Sequence, residues 1–351
     1  MQPFVTQCNI TFTGQTTYST GNAPNSVVAA DVNGDGKLDI IVGNAGSNNV
    51  GVLLNIGNGT FTTQTTYLTG TNPYELTAAD VNGDGKTDII VANYNSNNVG
   101  VLLNIGNDTL ANQTTYSTDN RPISVVAADV NGDGKPDIIV VNYGSSNVGV
   151  LLNIGNGTFS AQTTYLTGAG PFEAAAADVN GDNKTDVIVA NSNSHNVGVL
   201  LNIGSGKFSA QATYSVGIYP GSVVAADVNG DGKLDIIVAN SGSDNVGVLL
   251  NIGNGTFSAQ TIYSTGTDPD EVVAADVNGD GKPDIIVANY NSNNVGVLLN
   301  IGNGTFSAQT TYSAGSGASC VAVVDVNGDN KPDIIVTNAG SSNVGVLLAY
   351  C

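Results

Sequence analysis

The residues of this sequence whose types and spacing could do chemistry are aspartates and asparagines in one recurring loop. In its first copy, Asp31, Asn33 and Asp35 occupy positions 1, 3 and 5, Lys37 offers its main-chain carbonyl at position 7, and Asp39 occupies position 9. Because Ca²⁺ is a hard cation that takes about six to eight oxygen ligands, this spacing predicts a calcium site.

The same loop returns six more times, always 49 residues further along the chain, so about seven calcium ions are expected. The expected ligands in these copies are Asp80, Asn82, Asp84, Lys86, Asp88, Asp129, Asn131, Asp133, Lys135, Asp137, Asp178, Asn180, Asp182, Lys184, Asp186, Asp227, Asn229, Asp231, Lys233, Asp235, Asp276, Asn278, Asp280, Lys282, Asp284, Asp325, Asn327, Asp329, Lys331 and Asp333.

The sixth position of the loop must bend sharply. It is Gly36 in the first copy and becomes Asn183 and Asn330 in the fourth and seventh, and asparagine tolerates the left-handed conformation best after glycine. An EF-hand would need a glutamate at position 12 between helices, whereas position 12 here is Val42 in a strand-like run. Acidic turns without metal are the alternative, but they would crowd three carboxylates together with no cation.

Acidity dominates the composition. The chain has 29 Asp and Glu against 9 Lys and Arg, a formal charge of −20, which argues against nucleic acid or an anionic membrane as partner. The seven loops account for −14 of this charge, and seven Ca²⁺ would leave −6, a usual value for a soluble domain. Most of the acidity is therefore assigned to metal sites.

The repeat also predicts the fold. Seven units of 49 residues cover 343 of the 351 residues, and each unit reads as four short strands joined by Gly, Asn, Asp and Pro. Four strands in a repeat of this length are typical of a β-propeller blade. We therefore predict an all-β, seven-bladed propeller of four-stranded antiparallel blades, with residues 1–351 forming one domain. An open solenoid would need polar capping repeats, which the sequence lacks.

The ends of the chain predict closure of the ring. Residues 9–19 match a fourth strand, whereas the last unit stops after its third, so the N-terminal segment is expected to be the outer strand of the last blade. Cys8 and Cys351 are one full turn of the ring apart, and a disulfide between them is predicted, which implies an oxidising compartment. Cys320 has no evident partner and is interpreted as incidental.

These units resemble the FG-GAP/VCBS repeats of integrin-α-type propellers over nearly the whole chain. The resemblance implies that the loop joins the first and second strands of a blade and holds calcium. Asn33 and its equivalents at position 3 depart from the family pattern by removing one charge from each site. Family members include adhesion receptors, lectins and non-catalytic parts of enzymes. The resemblance therefore implies the fold and the bound metal more strongly than it implies the identity of the ligand.

The units differ most in the connections between blades. These connections are expected on the face opposite the calcium loops, where a protein or glycan partner is predicted to bind. The candidate contact residues are Tyr74, Arg121, Phe172, Tyr219, Asp268 and Asp270.

The sequence favours an extracellular binding or adhesion module that is not an enzyme. No nucleophile and base recur together, and the one histidine, His195, stands where other units have Asn or Ser. A lectin, a self-assembling structural protein and an enzyme with chemistry in the channel remain the alternatives. The oligomeric state stays open.

Two further features bear on secretion. The N-terminus lacks the basic start and apolar core of a secretory signal, so either the signal is missing from this sequence or the chain is not secreted by that route. The Asn-X-Thr sequons have two possible explanations: they are glycosylated, or their asparagines are present because they suit the geometry of tight turns. They begin at Asn9, Asn58, Asn107, Asn112, Asn156, Asn183, Asn254 and Asn303.

Overall fold

The computed structural model describes residues 10–351 and shows a ring of seven four-stranded antiparallel sheets, the blades. The innermost, first strands are Pro24–Ala30, Pro73–Ala79, Pro122–Ala128, Pro171–Ala177, Pro220–Ala226, Pro269–Ala275 and Ala318–Val324. The second strands are Asp39–Asn44, Asp88–Asn93, Asp137–Asn142, Asp186–Asn191, Asp235–Asn240, Asp284–Asn289 and Asp333–Asn338. The predicted fold class and 49-residue repeat are confirmed.

The outer half of each blade follows the same order. The third strands are Asn49–Leu53, Asn98–Leu102, Asn147–Leu151, Asn196–Leu200, Asn245–Leu249, Asn294–Leu298 and Asn343–Leu347. The fourth strands of blades 1–6 are Thr65–Leu68, Thr114–Ser117, Thr163–Leu166, Ala212–Ser215, Thr261–Ser264 and Thr310–Ser313. In blade 7 the fourth strand is Thr16–Ser19, which pairs with Asn343–Leu347 and closes the ring with N-terminal residues.

A small hairpin separates the third and fourth strands of each blade. Its paired strands are Asn55–Gly57 with Thr60–Phe61, Asn104–Gly106 with Thr109–Leu110, Asn153–Gly155 with Thr158–Phe159, Asn202–Gly204 with Lys207–Phe208, Asn251–Gly253 with Thr256–Phe257, Asn300–Gly302 with Thr305–Phe306, and Thr11–Phe12 with Ala349–Tyr350. Short 3₁₀ turns occur at Ala45–Ser47, Ser192–Ser194 and Ser241–Ser243. Within residues 10–351, no helix has the length and apolar character needed to span a bilayer.

The core lies between adjacent blades. The second strands are buried along their whole length, and their β-branched side chains suit a pleated sheet covered on both faces. One core cluster, for example, joins Ile41 and Val50 of blade 1 to Leu76 and Ile89 of blade 2. Each blade therefore buries its apolar surface only against its neighbours.

Recurring tyrosines also join neighbouring blades. Tyr18 of blade 7 meets Phe61 of the blade 1 hairpin edge to face, with ring centroids 5.4 Å apart. The same pair recurs as Tyr116 with Phe159 at 5.4 Å. These contacts position the hairpins against the preceding blade, except in blade 2, where Leu110 replaces the phenylalanine.

Candidate functional site

The two ends of the channel carry different groups of loops. The loop between the first and second strands and the hairpin lie on one face, which we call the acidic-loop face. Asn55 in the hairpin donates its main-chain N–H to Asp39 at 2.8 Å. The links between blades lie on the other face beside the turns after the second strands, as shown by the 3.0 Å hydrogen bond from the N–H of Tyr94 to the carbonyl of Asn72. We call this second face the linker face.

Each acidic loop is folded around its own carboxylates. Asp31 accepts the N–H groups of Gly34 at 2.7 Å and Gly36 at 2.8 Å, and Asp35 accepts the N–H of Lys37 at 2.9 Å. Gly34 and Gly36 have φ values of 78° and 81°, in the left-handed region that favours glycine. Asn183 and Asn330, at the position of Gly36, also adopt it with φ values of 59° and 62°, as predicted.

Position 9 has a structural role of its own. Asp39 is fully buried, and its two oxygens accept the N–H groups of Val32 at 3.0 Å and Asn55 at 2.8 Å. Burial raises the pKa of Asp39, although these two hydrogen bonds favour the ionised form. The carboxylate thus joins the acidic loop to the hairpin in every blade.

The lysine of the loop pairs with the carboxylate at position 5. The Lys37 ammonium lies 2.6 Å from Asp35, and this hydrogen bond with the lysine holds the pKa of Asp35 below its ordinary value. The same ion pair recurs in all seven loops. A cation entering the loop would compete with this ammonium for Asp35.

The donor chemistry of the loop fits calcium. Asp31, Asn33, Asp35, Asp39 and the Lys37 carbonyl supply only oxygen, as a hard cation requires. In residues 10–351, however, no three Asp, Glu, His or Cys side chains already stand close enough together to hold a metal. Gathering these donors would require Asp35 to leave Lys37.

The linker face holds a cavity of about 320 Å³ at the mouth of the channel. Its lining combines aromatic rings with carboxylates, and it consists of Asn25, Ser26, Tyr74, Glu75, Phe172, Glu173, Asp268, Asp270, Glu271, Tyr290 and Ser319. The Tyr74 ring packs edge to face against Phe172 at a centroid distance of 5.9 Å, and it lies tilted against Tyr94 at 5.8 Å. This volume is at the lower end of the range for small-molecule sites.

A ring of polar side chains occupies one repeat position of the first strands, and four of the seven line this cavity. From blade 1 to blade 7 the residues are Ser26, Glu75, Ser124, Glu173, Ser222, Glu271 and Cys320. Ser26 accepts the N–H of Leu76 in the next blade at 3.2 Å, and Cys320 accepts that of Val27 at 3.3 Å. We call these seven residues the channel ring.

The glutamates of the channel ring are partly buried and lie around the same cavity. Burial, together with the charge of another ring glutamate, raises the pKa values of Glu75, Glu173 and Glu271 well above the ordinary range. The neighbouring Ser124, Ser222 and Cys320 side chains partly offset this rise in pKa. Burial also raises the pKa of Asp270 to about 7, with a smaller contribution from Asp268.

Comparison with known families gives matches to the FG-GAP-like repeat along the chain. They cover residues 8–42, 31–91, 80–140, 129–189, 178–238, 227–287 and 276–336. The chain belongs to the FG-GAP-like repeat family. No curated protein matches the sequence closely enough to be counted a relative.

Solved structures share the fold of this FG-GAP propeller at low identity. A lectin of Agrocybe aegerita, which recognises non-reducing terminal N-acetylglucosamine, is 24% identical over 82% of this chain and 80% of its own, with a TM-score of 0.57. Virginiamycin B lyase of Staphylococcus aureus is 14% identical over 97% and 98%, with a TM-score of 0.65. BBS1N, solved in complex with ARL6DN, is 11% identical over 96% and 97%, with a TM-score of 0.66.

The FG-GAP propeller brings together only some of the predicted contact residues. Tyr74, Phe172, Asp268 and Asp270 line the cavity. Arg121 does not line the cavity. Its guanidinium carbon lies 5.8 Å from the ring centroid of Tyr94. Tyr219 is also outside the cavity, with 51% of its surface exposed and its ring 5.0 Å from that of His195.

His195 has a local structural role. Its Nδ1 accepts the N–H of Tyr219 at 3.1 Å, as Asn48 Oδ1 accepts the N–H of Asn72 at 2.8 Å in an equivalent turn. The histidine therefore replaces a turn asparagine of the other blades.

The interpretation of Cys320 as incidental needs correction. Its buried thiol belongs to the channel ring, where it lies beside Glu271 and accepts the N–H of Val27. Sequence reasoning also missed Glu75, Glu173 and Glu271, although serine and glutamate alternate at this repeat position and could have revealed the ring. Cys8 and Asn9 lie outside the described residues, so the Cys8–Cys351 disulfide stays a prediction.

Proposed function

We propose that this FG-GAP propeller is an extracellular, non-catalytic binding module that holds its partner at the linker-face cavity. The observation that carries this proposal is where the blades differ. Strands and acidic loops are nearly identical in all seven units, whereas Tyr74, Phe172 and Asp270 occupy one repeat position that also holds Asn25 and Ser319. Variation within so regular a ring creates one asymmetric concave site, which suits recognition of a specific ligand.

Calcium in the acidic loops is the second part of the proposal. Asp31, Asn33, Asp35, Asp39 and the Lys37 carbonyl would hold it, as would their equivalents in the other blades. Bound calcium supplies positive charge that offsets the three carboxylates of each loop. The oxygen-only donor set supports this assignment. Native mass spectrometry of the folded protein in millimolar calcium is expected to show about seven ions, and EDTA is expected to remove them.

Carbohydrate is the second candidate for the partner. Tyr74, Phe172 and Tyr290 place three aromatic rings around one cavity, and such rings can pack against sugars. A glycan array in millimolar calcium tests this candidate. Specific glycan binding that is lost on chelation or in a cavity variant would favour a lectin over a protein-binding module.

Paired variants test the choice of face. The cavity variant is Tyr74→Ala with Phe172→Ala, and the matched variant on the acidic-loop face is Ile56→Ser with Ile154→Ser, whose side chains are 66% and 68% exposed. Binding to glycan arrays and to extracellular-matrix proteins is compared with that of the wild type. We expect loss in the cavity variant alone. Loss only in the isoleucine variant would contradict the proposal.

A further inference from the structure

The cavity lining is rich in acids and has no basic side chain within residues 10–351. Glu75, Glu173 and Glu271 contribute three carboxyl groups from alternate blades, and Asp268 and Asp270 contribute two more. The ring glutamates lie beside neutral side chains such as Ser124 and Ser222. These carboxyl groups therefore have no cationic partner in the described part of the protein.

Asp270 is the carboxylate that is most available to a ligand. Asp268 accepts a hydrogen bond from Asn291 at 3.0 Å, but Asp270 has no hydrogen bond or ion pair with any described residue. It nevertheless lines the cavity and is mostly buried. A buried carboxylate without a partner is costly, and a cation in the cavity would satisfy it.

Aromatic rings form another part of the same wall. Tyr74, Phe172 and Tyr290 line the cavity, and the edge-to-face contact of Tyr74 with Phe172 fixes the relative orientation of two of these rings. The face of an aromatic ring attracts cations that are weakly hydrated, above all organic ammonium groups. These rings offer no oxygen cage, which calcium would require.

We propose that this cavity binds a small organic ammonium ion, such as the end of a lysine side chain or a quaternary ammonium group. The inference rests on the proposed function, since it assigns a ligand class to the same site. Carboxylates would supply the opposite charge, and the aromatic rings would replace the weak hydration shell of the ammonium group. The cavity volume of about 320 Å³ accommodates an organic group of this size.

Calorimetry with defined probes tests this assignment. The calcium-loaded full chain is titrated at pH 8 with tetramethylammonium chloride and n-butylammonium chloride, with sodium butyrate and N-acetylglucosamine as comparisons. We expect one ammonium site per chain and no binding of butyrate. If calcium binds at this cavity and the ammonium probes do not, the proposal is overturned.

Three variants locate the site. Asp270→Asn removes the unpaired charge and should weaken ammonium binding about tenfold. Phe172→Leu keeps an apolar side chain but removes the ring, and should weaken binding about threefold. Asp108→Asn makes the same charge change on an exposed hairpin of the acidic-loop face and should leave the affinity unchanged. Equal weakening by Asp270→Asn and Asp108→Asn would show a general charge effect and overturn the site.

The outcomes separate this inference from the proposed function. If neither ammonium probe binds but a glycan or matrix protein binds and is lost in the Tyr74→Ala and Phe172→Ala variant, the ammonium inference is wrong and the proposed function stands. If the ammonium probes bind, but binding of a glycan or matrix protein is lost only in the Ile56→Ser and Ile154→Ser variant, the inference stands and the choice of face is wrong. Unaltered ammonium binding by Asp270→Asn would also overturn the inference.

Discussion

The aspartate at position 9 of each acidic loop combines a proposed metal-binding role with a structural one. Asp186 is fully buried and accepts the N–H groups of Val179 at 3.0 Å and Asn202 at 2.7 Å. Asp182 in the same loop is more exposed and forms an ion pair with Lys184 at 2.7 Å. Loss of the Asp186 side chain should therefore reduce stability more than loss of the Asp182 side chain when calcium is absent.

We expect Asp186→Ala to lower the free energy of unfolding in EDTA by about 2–5 kcal/mol, because it leaves two buried N–H groups without a partner. Asp182→Ala is the matched control and should cost less than about 1 kcal/mol in EDTA, because it removes an exposed ion pair and a hydrogen bond from an exposed N–H that water can replace. In millimolar calcium both variants should lose stability. Urea denaturation in EDTA and in calcium measures all four differences. Equal losses in EDTA would contradict the structural role of Asp186.

The spacing of residues in the sequence predicted the acidic loops, but the sequence did not show which acidic side chains are buried. The regular spacing of Asp31, Asn33 and Asp35 predicted one loop, because turns depend on nearby residues. That Asp39 also bonds to Asn55 in the hairpin could not be inferred, since the contact depends on the tertiary fold. Glu75 and Glu173 were missed because one glutamate in a connecting segment resembles any exposed acid until the ring places it in the channel.

At the scale of the elements, the first strands place several acids in one narrow channel. Folding raises the pKa of Asp270 to about 7 because the carboxylate is buried there. The folded state consequently binds a proton more tightly than the unfolded chain. This contribution favours folding at low pH and is lost as the pH rises from about 4 to about 7.

Asp270→Asn should therefore stabilise the fold at pH 8, by about 1–3 kcal/mol after allowance for solvent screening. The gain should shrink as the pH falls from 8 to 5, because the wild-type carboxyl then becomes protonated in the folded state. Denaturant unfolding in saturating calcium without an ammonium ligand measures the effect, with Asp108→Asn as control. A gain that does not vary with pH would contradict a buried ionisable Asp270.

The elements themselves were largely predictable. Strands such as Asp88–Asn93 stand out because β-branched runs end at Gly, Asn and Pro. The small hairpins were not separated from the fourth strands, and residues 9–19 were expected to form one strand. In the structure Thr11–Phe12 pairs with Ala349–Tyr350, whereas Thr16–Ser19 joins blade 7. The sequence alone does not show that these two short strands pair with different segments, because the pairing depends on where those segments lie in the folded ring.

For the whole molecule, calcium is expected to be a principal source of stability. With a Kd of about 0.1 mM, 1 mM calcium would add about 1.4 kcal/mol per site and on the order of 10 kcal/mol over seven independent sites. Calorimetric melting should show a large fall in Tm on addition of EDTA and recovery when excess calcium is restored. Magnesium at equal concentration is the control cation and should restore less. An unchanged melt in EDTA would contradict the calcium proposal.

A disulfide between Cys8 and Cys351 is expected to restrain the closed ring. The chain-entropy estimate for so long a loop is about 5–6 kcal/mol, an upper limit because pairing of Thr16–Ser19 with blade 7 already restrains the ends. Non-reducing peptide mapping should recover the two cysteines in one linked fragment, and reduction should lower the Tm. Free thiols at both positions, or a link to Cys320, would count against this prediction.

The number of blades gives the channel ring an orientation. Serine and glutamate take turns through six blades, but a circle with an odd number of members cannot complete such an alternation. The mismatch falls at Cys320, which lies beside Glu271 on one side and accepts the Val27 N–H on the other. Glu75, Glu173 and Glu271 are consequently two, two and three blades apart around the axis. Seven nearly interchangeable units thus build a channel without rotational symmetry, in which the proposed ammonium ion would have a single preferred azimuth.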